Sequence, residues 1–294
     1  FLAFADLAPG VQFNTGANGN SSIRGGAQAS NSVNVFIDGV SQKDYVLKNG
    51  ITGQDSTQGN PFPQLAIGEY RVISSNYKAE FDQVSSVAIT AVTKSGTNEF
   101  HGEGFVDFTN QDMRAKRPIE IQNQTDKVDT RDMQFGGALG GPIIKDVAHF
   151  FVTYEGKRQQ VPVDIQPGNG VAVSTIPSEY QDIFGAYNRK FNEDLYFGKI
   201  DVAPTTADLL EFSVKYRKET GQSIDSGSNA YESRTDTDTT ELRALGRWQH
   251  TADNWVNELR VSYQDVKWAP TPTSFGIAQS FKQINQNGNN FNRA

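Results

Sequence analysis

Seven stretches of this chain alternate apolar and polar residues one by one, and that period limits what the chain can fold into. In residues 209–218, "LLEFSVKYRK", Leu210, Phe212, Val214 and Tyr216 share one face, while Glu211, Ser213, Lys215 and Arg217 share the other. The same texture predicts strands at 100–109, 131–140, 147–156, 193–203, 209–218, 239–250 and 255–265. The polar faces are dense in charge: Glu241, Arg243 and Arg247 on the sixth stretch, Glu258 and Arg260 on the seventh. A face this charged is expected to look into a hydrated lumen. The apolar face then looks outward into lipid.

Connection lengths support an up-and-down barrel. Short links at "GPIIKD", "PTTAD" and "TADN" alternate with long ones at 110–130, 157–192 and 219–238, as tight turns on one side of a membrane and long loops on the other would require. Trp248 and Trp255 flank one short turn, and Tyr196, Tyr216 and Tyr263 are expected at strand ends beside the long loops, forming two interfacial aromatic belts. No apolar run is long enough for a membrane-spanning helix, whereas barrel strands need only about 9–11 residues each. The chain has no cysteine and a net charge of −7, which leaves no thiolate site or disulfide and opposes nucleic-acid binding. Its opening, "FLAFADLAPG", reads as the start of a mature or internal piece of a longer protein.

Before about residue 97 the texture differs, with turn-rich segments such as "NTGANGNSSIRGG", "FIDGVSQ" and "GNPFPQL" between short β-prone runs. Here "SIRGG", "VFIDGV" and "IGEYRVISSNYKAEFDQVSSVAITAVTKSGTNEFHG", followed by "GGALGGPIIKDVAHFFVTYEGKR", carry a resemblance to TonB-dependent outer-membrane receptors, and more narrowly to their Oar-like branch. The resemblance implies a mainly β fold: an α+β plug domain followed by antiparallel transmembrane barrel strands, with the barrel incomplete in this chain. Residues 1–97 would be the C-terminal part of the plug, and 98–294 the N-terminal barrel strands with long extracellular loops. Arg24, Gly25, Asp38 and Gly39 fall in the plug motif, and Thr93, Lys94, Ser95, Gly96, Thr97 and Asn98 form the plug–barrel junction. Such receptors close with about 22 strands. The start of the plug and the TonB-binding box are not recognisable here, and "AEFDQVSSVAITAVTKSG" is less glycine-rich than the matching stretch of relatives.

The implied setting is the bacterial outer membrane. Its implied partners are membrane lipid, TonB through an N-terminal segment absent here, and an unidentified extracellular ligand, with no nucleic acid and no cofactor. No enzyme activity is expected. His101, His149 and His250 lie on separate strands without metal spacing, and "GGALGGP" lacks the end of a phosphate loop. Asp236 and Asp238 are read as a solvated outer loop rather than a calcium site. Asp38 and Gly39 suit a tight turn, and Arg24 is either an ion pair from plug to wall or a solvated surface charge. Two rival functions share the pattern: an export or assembly channel of the same architecture, and a surface β-rich adhesion or carbohydrate-binding module. The latter would bury the apolar faces in one shared core.

Overall fold

A computed structural model describes residues 2–15, 21–26, 28–29, 32–43, 59–74, 76–78, 81–122, 124, 126–167, 172–224, 229–274, 279–282 and 290–293. The turn expected around "NTGANGN" falls partly on 16–20, outside the described residues.

The N-terminal unit contains a hairpin of β1 (Val11–Thr15) and β2 (Ser21–Gly25). Beside it is a four-stranded sheet of β3 (Val33–Ile37), β4 (Val40–Ser41), β5 (Ile67–Ile73) and β6 (Val87–Thr93), in the order β4-β3-β6-β5. β3 and β6 run parallel and are rich in Val and Ile, as a strand covered on both faces needs to be. Val33, Val35, Ile37, Val87, Ile89 and Ala91 make the core of this unit. The turn from β3 to β4 places Asp38 at φ +50° and Gly39 at φ +78°, a pair of positive angles that suits a two-residue hairpin.

Seven longer strands follow: β7 (His101–Asn110), β8 (Arg131–Ile144), β9 (Ala148–Ile165), β10 (Gly185–Val202), β11 (Asp208–Ser223), β12 (Thr235–Thr251) and β13 (Val256–Pro272). Each pairs antiparallel with its neighbours in sequence, so the sheet is an uninterrupted meander whose two edges, β7 and β13, do not meet. Among the described residues no helix is long and apolar enough to cross a membrane.

The two faces of this sheet are opposite in chemistry. Phe212 is 57% exposed and Val261 64%, while Lys215 is 2% exposed. Greasy side chains outside and charges inside run against the surface-module reading, which needs these apolar faces joined in one core; among the described residues they are exposed instead. Replacing Phe212 with Arg should cost about 2–4 kcal/mol of folding free energy if its position lies near the bilayer midplane. Urea titration of the full-length protein in vesicles reads that loss, and an unchanged midpoint would refute a lipid-facing position.

The strands outrun their expected ends. β10 begins at Gly185 rather than at 193, β11 reaches Ser223, and β13 reaches Pro272. Along the added residues "GAYNRKFN" and "ETGQS" the outward face turns polar, with Asn188, Lys190 and Asn192 on β10 and Thr220 and Gln222 on β11, so the backbone ladder continues where outward hydrophobic alternation has stopped. Tyr196, Tyr216 and Tyr263 therefore lie within strands and not at their ends. The long connections shorten accordingly, 157–192 to 166–184 and 219–238 to 224–234. Asp236 and Asp238 fall on β12, where Arg234 Nε lies 3.3 Å from Asp236, so they are strand residues and not loop residues.

Candidate functional site

The N-terminal unit sits on the charged, inner face of the long sheet. An apolar patch anchors it: Phe62 packs on Phe197 at 5.1 Å between ring centroids, and Phe197 packs on Phe151 at 6.4 Å. Around this patch the wall grips main-chain atoms. Glu193 accepts a hydrogen bond from Asn60 N at 2.7 Å, and Glu155 accepts one from Leu65 N at 2.7 Å. Lys215 Nζ donates to Pro61 O at 2.8 Å, and Arg243 Nη1 donates to Ser41 O at 2.8 Å. The 3-10 turn Gln64–Ala66 begins after Pro63, which has no side-chain acceptor to cap it. Glu155 supplies that cap from the wall.

Gly59 starts the gripped segment and has no room for a side chain, because a methyl group there would fall on the carboxylate oxygens of Glu193 and Glu219. Asp38 turns back into its own unit and accepts from Thr93 N at 2.9 Å and Thr93 Oγ1 at 2.7 Å. Thr93 Oγ1 in turn lies 3.4 Å from Lys199 Nζ of the wall. Any side chain at Gly39 would meet the Arg260 guanidinium. Between this turn and the wall lies a cavity of about 340 Å3, lined among others by Asp38, Phe62, Lys215, Arg243 and Arg260.

Beneath the contacts the wall charges neutralise one another. Lys215 pairs with Glu241 at 2.9 Å, Arg217 with Glu219 at 2.8 Å and with Glu241 at 3.5 Å, and Arg243 with Glu241. Arg217 and Glu241 are 0% exposed. The expected hydrated wall is therefore dry where the N-terminal unit covers it, because opposite charges on adjacent strands replace water for each other. Nearer the short turns the network is wetter: Lys199 and Arg247 share Glu211, and Arg247 and Arg260 share Glu258 on the edge strand β13.

The remaining sequence candidates fall in three places. Arg24 is exposed on β2 and makes no ion pair among the described residues, while Gly25 is buried against Val87. At the junction, Lys94 pairs with Glu103, its N–H reaches Ala66 O at 2.8 Å, and Ser95 and Gly96 are half-buried. Thr97 Oγ1 lies 2.5 Å from the His101 ring, and Asn98 bonds both the side chain and the N–H of Asp146 in the first short turn. His149 bridges Asn98 at 2.9 Å and Asp201 at 3.1 Å, and His250 meets Asp208 at 2.8 Å. On the outer face, Tyr196 and Tyr216 pair across strands in one row with Tyr154, and Trp248 and Trp255 stand at the short-turn end.

Glu155, Glu193, Lys199 and Glu219 were not among the sequence candidates. Strand parity alone puts them inside, but which inner positions face a stopper depends on contacts far away in sequence. A further unforeseen carboxylate, Glu120, organises the connection between β7 and β8 from the short helix α1 (Pro118–Gln122). Arg114 donates to both of its oxygens at 2.7 and 2.8 Å, and the N–H groups of Arg117 and Val128 add bonds at 2.7 and 2.9 Å. The Arg114 guanidinium, helped by these amides, holds the Glu120 carboxyl well below the usual carboxylate range despite its burial. A depressed folded value means the clamp contributes fully above the ordinary carboxylate value and is lost as pH falls through the folded one. Proteolysis of the 111–130 loop should stay slow from neutrality to well below pH 4.5. In Glu120→Gln it should already be fast at pH 7, and equal rates would remove the clamp. In the N-terminal unit, burial pushes the Tyr70 hydroxyl up to about 12.

Residues 92–179 match a family described as an outer membrane beta barrel domain. A stretch of 161 residues is 30% identical to the TonB-dependent transporter Oar of Myxococcus xanthus, covering 52% of this chain and 14% of that protein. The fold is similar to that of the outer membrane transporter YddB of Escherichia coli, with a TM-score of 0.67 at 10% identity over 98% of this chain and 39% of that one. It is also similar to a variant of the ferric enterobactin receptor PfeA of Pseudomonas aeruginosa, with a TM-score of 0.61 at 12% identity over 98% and 41%. The chain thus spans less than half the length of each of these relatives.

A stopper on the charged face of an open, lipid-backed meander is the architecture of a plugged outer-membrane barrel, and the chain belongs to the bacterial outer membrane. Its sequence likeness is to the TonB-dependent transporter Oar, and its fold is similar to those of outer-membrane transporters and receptors.

Proposed function

We propose that this chain supplies plug and barrel wall to an energised outer-membrane transporter that takes up an extracellular ligand. Residues 1–97 act as the C-terminal part of the plug and 98–294 as the first barrel strands. Ligand binds at the outer loops and upper plug. TonB, engaging a segment N-terminal to this one, then pulls the plug until wall contacts give way and a path opens. Binding, orientation and mechanical release suffice, and no covalent chemistry is assigned to any residue.

The observation that carries this reading is the grip of Glu155, Glu193, Lys215 and Arg243 on main-chain atoms of residues 41–65. Hydrogen bonds to a plug backbone are individually modest, so a pulling force can release them one at a time. The test uses the full-length protein in two assays. Outer-membrane fractionation with heat-modifiable gel migration reads the barrel. Crosslinking to the periplasmic domain of TonB in the presence and absence of culture medium reads the coupling. Recovery in the soluble fraction sinks the barrel, and a folded barrel that never crosslinks to TonB favours the export reading.

A further inference from the structure

The outward face of β8–β11 is not a uniform greasy wall. Strand register aligns Tyr154, Tyr196 and Tyr216 in one row, with ring centroids 4.9 and 6.2 Å apart, and Phe135 extends the shelf to β8 at 6.0 Å from Tyr154. In the next row toward the short turns Val152, Gly198 and Val214 stand side by side. With no side chain at Gly198, the shelf overhangs an open apolar notch that Gly137 and Leu139 continue onto β8.

Above the shelf the chemistry changes within one or two positions. Lys218 is exposed with no ion-pair partner among the described residues. It stands directly across from Asp194 on β10. Arg158 shares that carboxylate at 2.6 Å with the Tyr154 hydroxyl at 2.7 Å, so two cations meet one anion. Lys190 and Arg131 add exposed positive charge further along. In the same row the outward positions of β12 and β13 carry Thr240 and Lys267, with Asp238 and Asp265 in the rows on either side, so carboxylates accompany the cation there while cations outnumber them on β8–β11.

We propose that this face holds an anionic, phosphate-bearing lipid of the outer leaflet, with an acyl chain in the Gly198 notch and its phosphate at Lys218 and Arg158. This rests on the apolar face lying against the bilayer, as read above. A methylene chain suits the notch, because a glycine-floored slot between valines with a mostly apolar lining offers dispersion contacts. The tyrosine shelf fits the boundary, its rings in the acyl region and its hydroxyls at headgroup height. The phosphate meets Lys218, a surface cation whose facing carboxylate, Asp194, is already bonded by Arg158 and Tyr154. A zwitterionic lipid would bring its own cation against Lys218.

The experiment uses the full-length receptor in detergent, titrated by native mass spectrometry with lipid A, with dephosphorylated lipid A and with phosphatidylcholine, and with inorganic phosphate as competitor. Lipid A should bind most tightly, and Lys218→Gln should weaken it about fivefold without affecting the other two lipids. Gly198→Leu, whose new Cβ would make only ordinary contact with Val152, should fill the notch and weaken the chain-bearing lipids alike. Equal affinity for lipid A and its dephosphorylated form, or no effect of Lys218→Gln, overturns the site, and so does full displacement by inorganic phosphate. Heat-modifiable migration of each variant separates the outcomes: its retention with no lipid preference sinks only this site, and its loss in the parent protein sinks the barrel reading beneath it.

Discussion

Gly59→Val in the full-length receptor should turn a closed pore into a conducting one. The new branched side chain would have to occupy the space of the Glu193 and Glu219 carboxylates. Overpacking of this kind costs about 1–3 kcal/mol. It also pushes Glu193 away from Asn60 N, giving up a charge-assisted hydrogen bond worth about 1.5–3 kcal/mol. Planar-bilayer recordings should show persistent conductance in the variant where the parent is silent. Gly59→Ala, with less bulk, should fall between the two. If Gly59→Val recordings match the parent in open probability, residues 59–65 do not hold the plug.

The second large effect is expected at Arg217. Its guanidinium lies between Glu219 and Glu241 and is fully buried. Arg217→Met leaves those carboxylates in a dry interface with less positive charge, and stripping one partner from a buried charge group costs about 3–5 kcal/mol. The urea midpoint for release of the N-terminal unit should fall by the corresponding amount, followed by protease accessibility of the 59–65 segment. The double variant Arg217→Met with Glu219→Leu should recover most of the loss, because it removes charge of both signs. A single variant as stable as the parent would mean that water already reaches this network.

The strands of the wall were legible in the sequence because lipid on one side and charge on the other impose a strict period of two. Phe212, Leu242 and Val261 face outward and Lys215 and Arg243 inward, as that period required. The ends of β10, β11 and β13 were not legible, since a ladder that extends beyond the hydrocarbon carries no apolar signal. The tyrosines were placed at strand ends for the same reason. The site was harder still. Glu193 meets Asn60 across 133 positions, and Glu155 meets Leu65 across 90, distances over which periodicity carries no information. The hydrated lumen was a sound inference from a bare wall, and it gave way because the stopper displaces the water and neighbouring strands supply the counter-charges.

The wall recognises its stopper largely through peptide groups: Asn60 N, Leu65 N, Pro61 O and Ser41 O. A lock that reads backbone is indifferent to much of what the key is made of. The side chains of Asn60 and Leu65 are thereby free to be altered, to retune an opening threshold or accommodate a different cargo, while the wall and its fastening stay unchanged. Gly59 is excepted, since there the fit depends on the lack of a side chain.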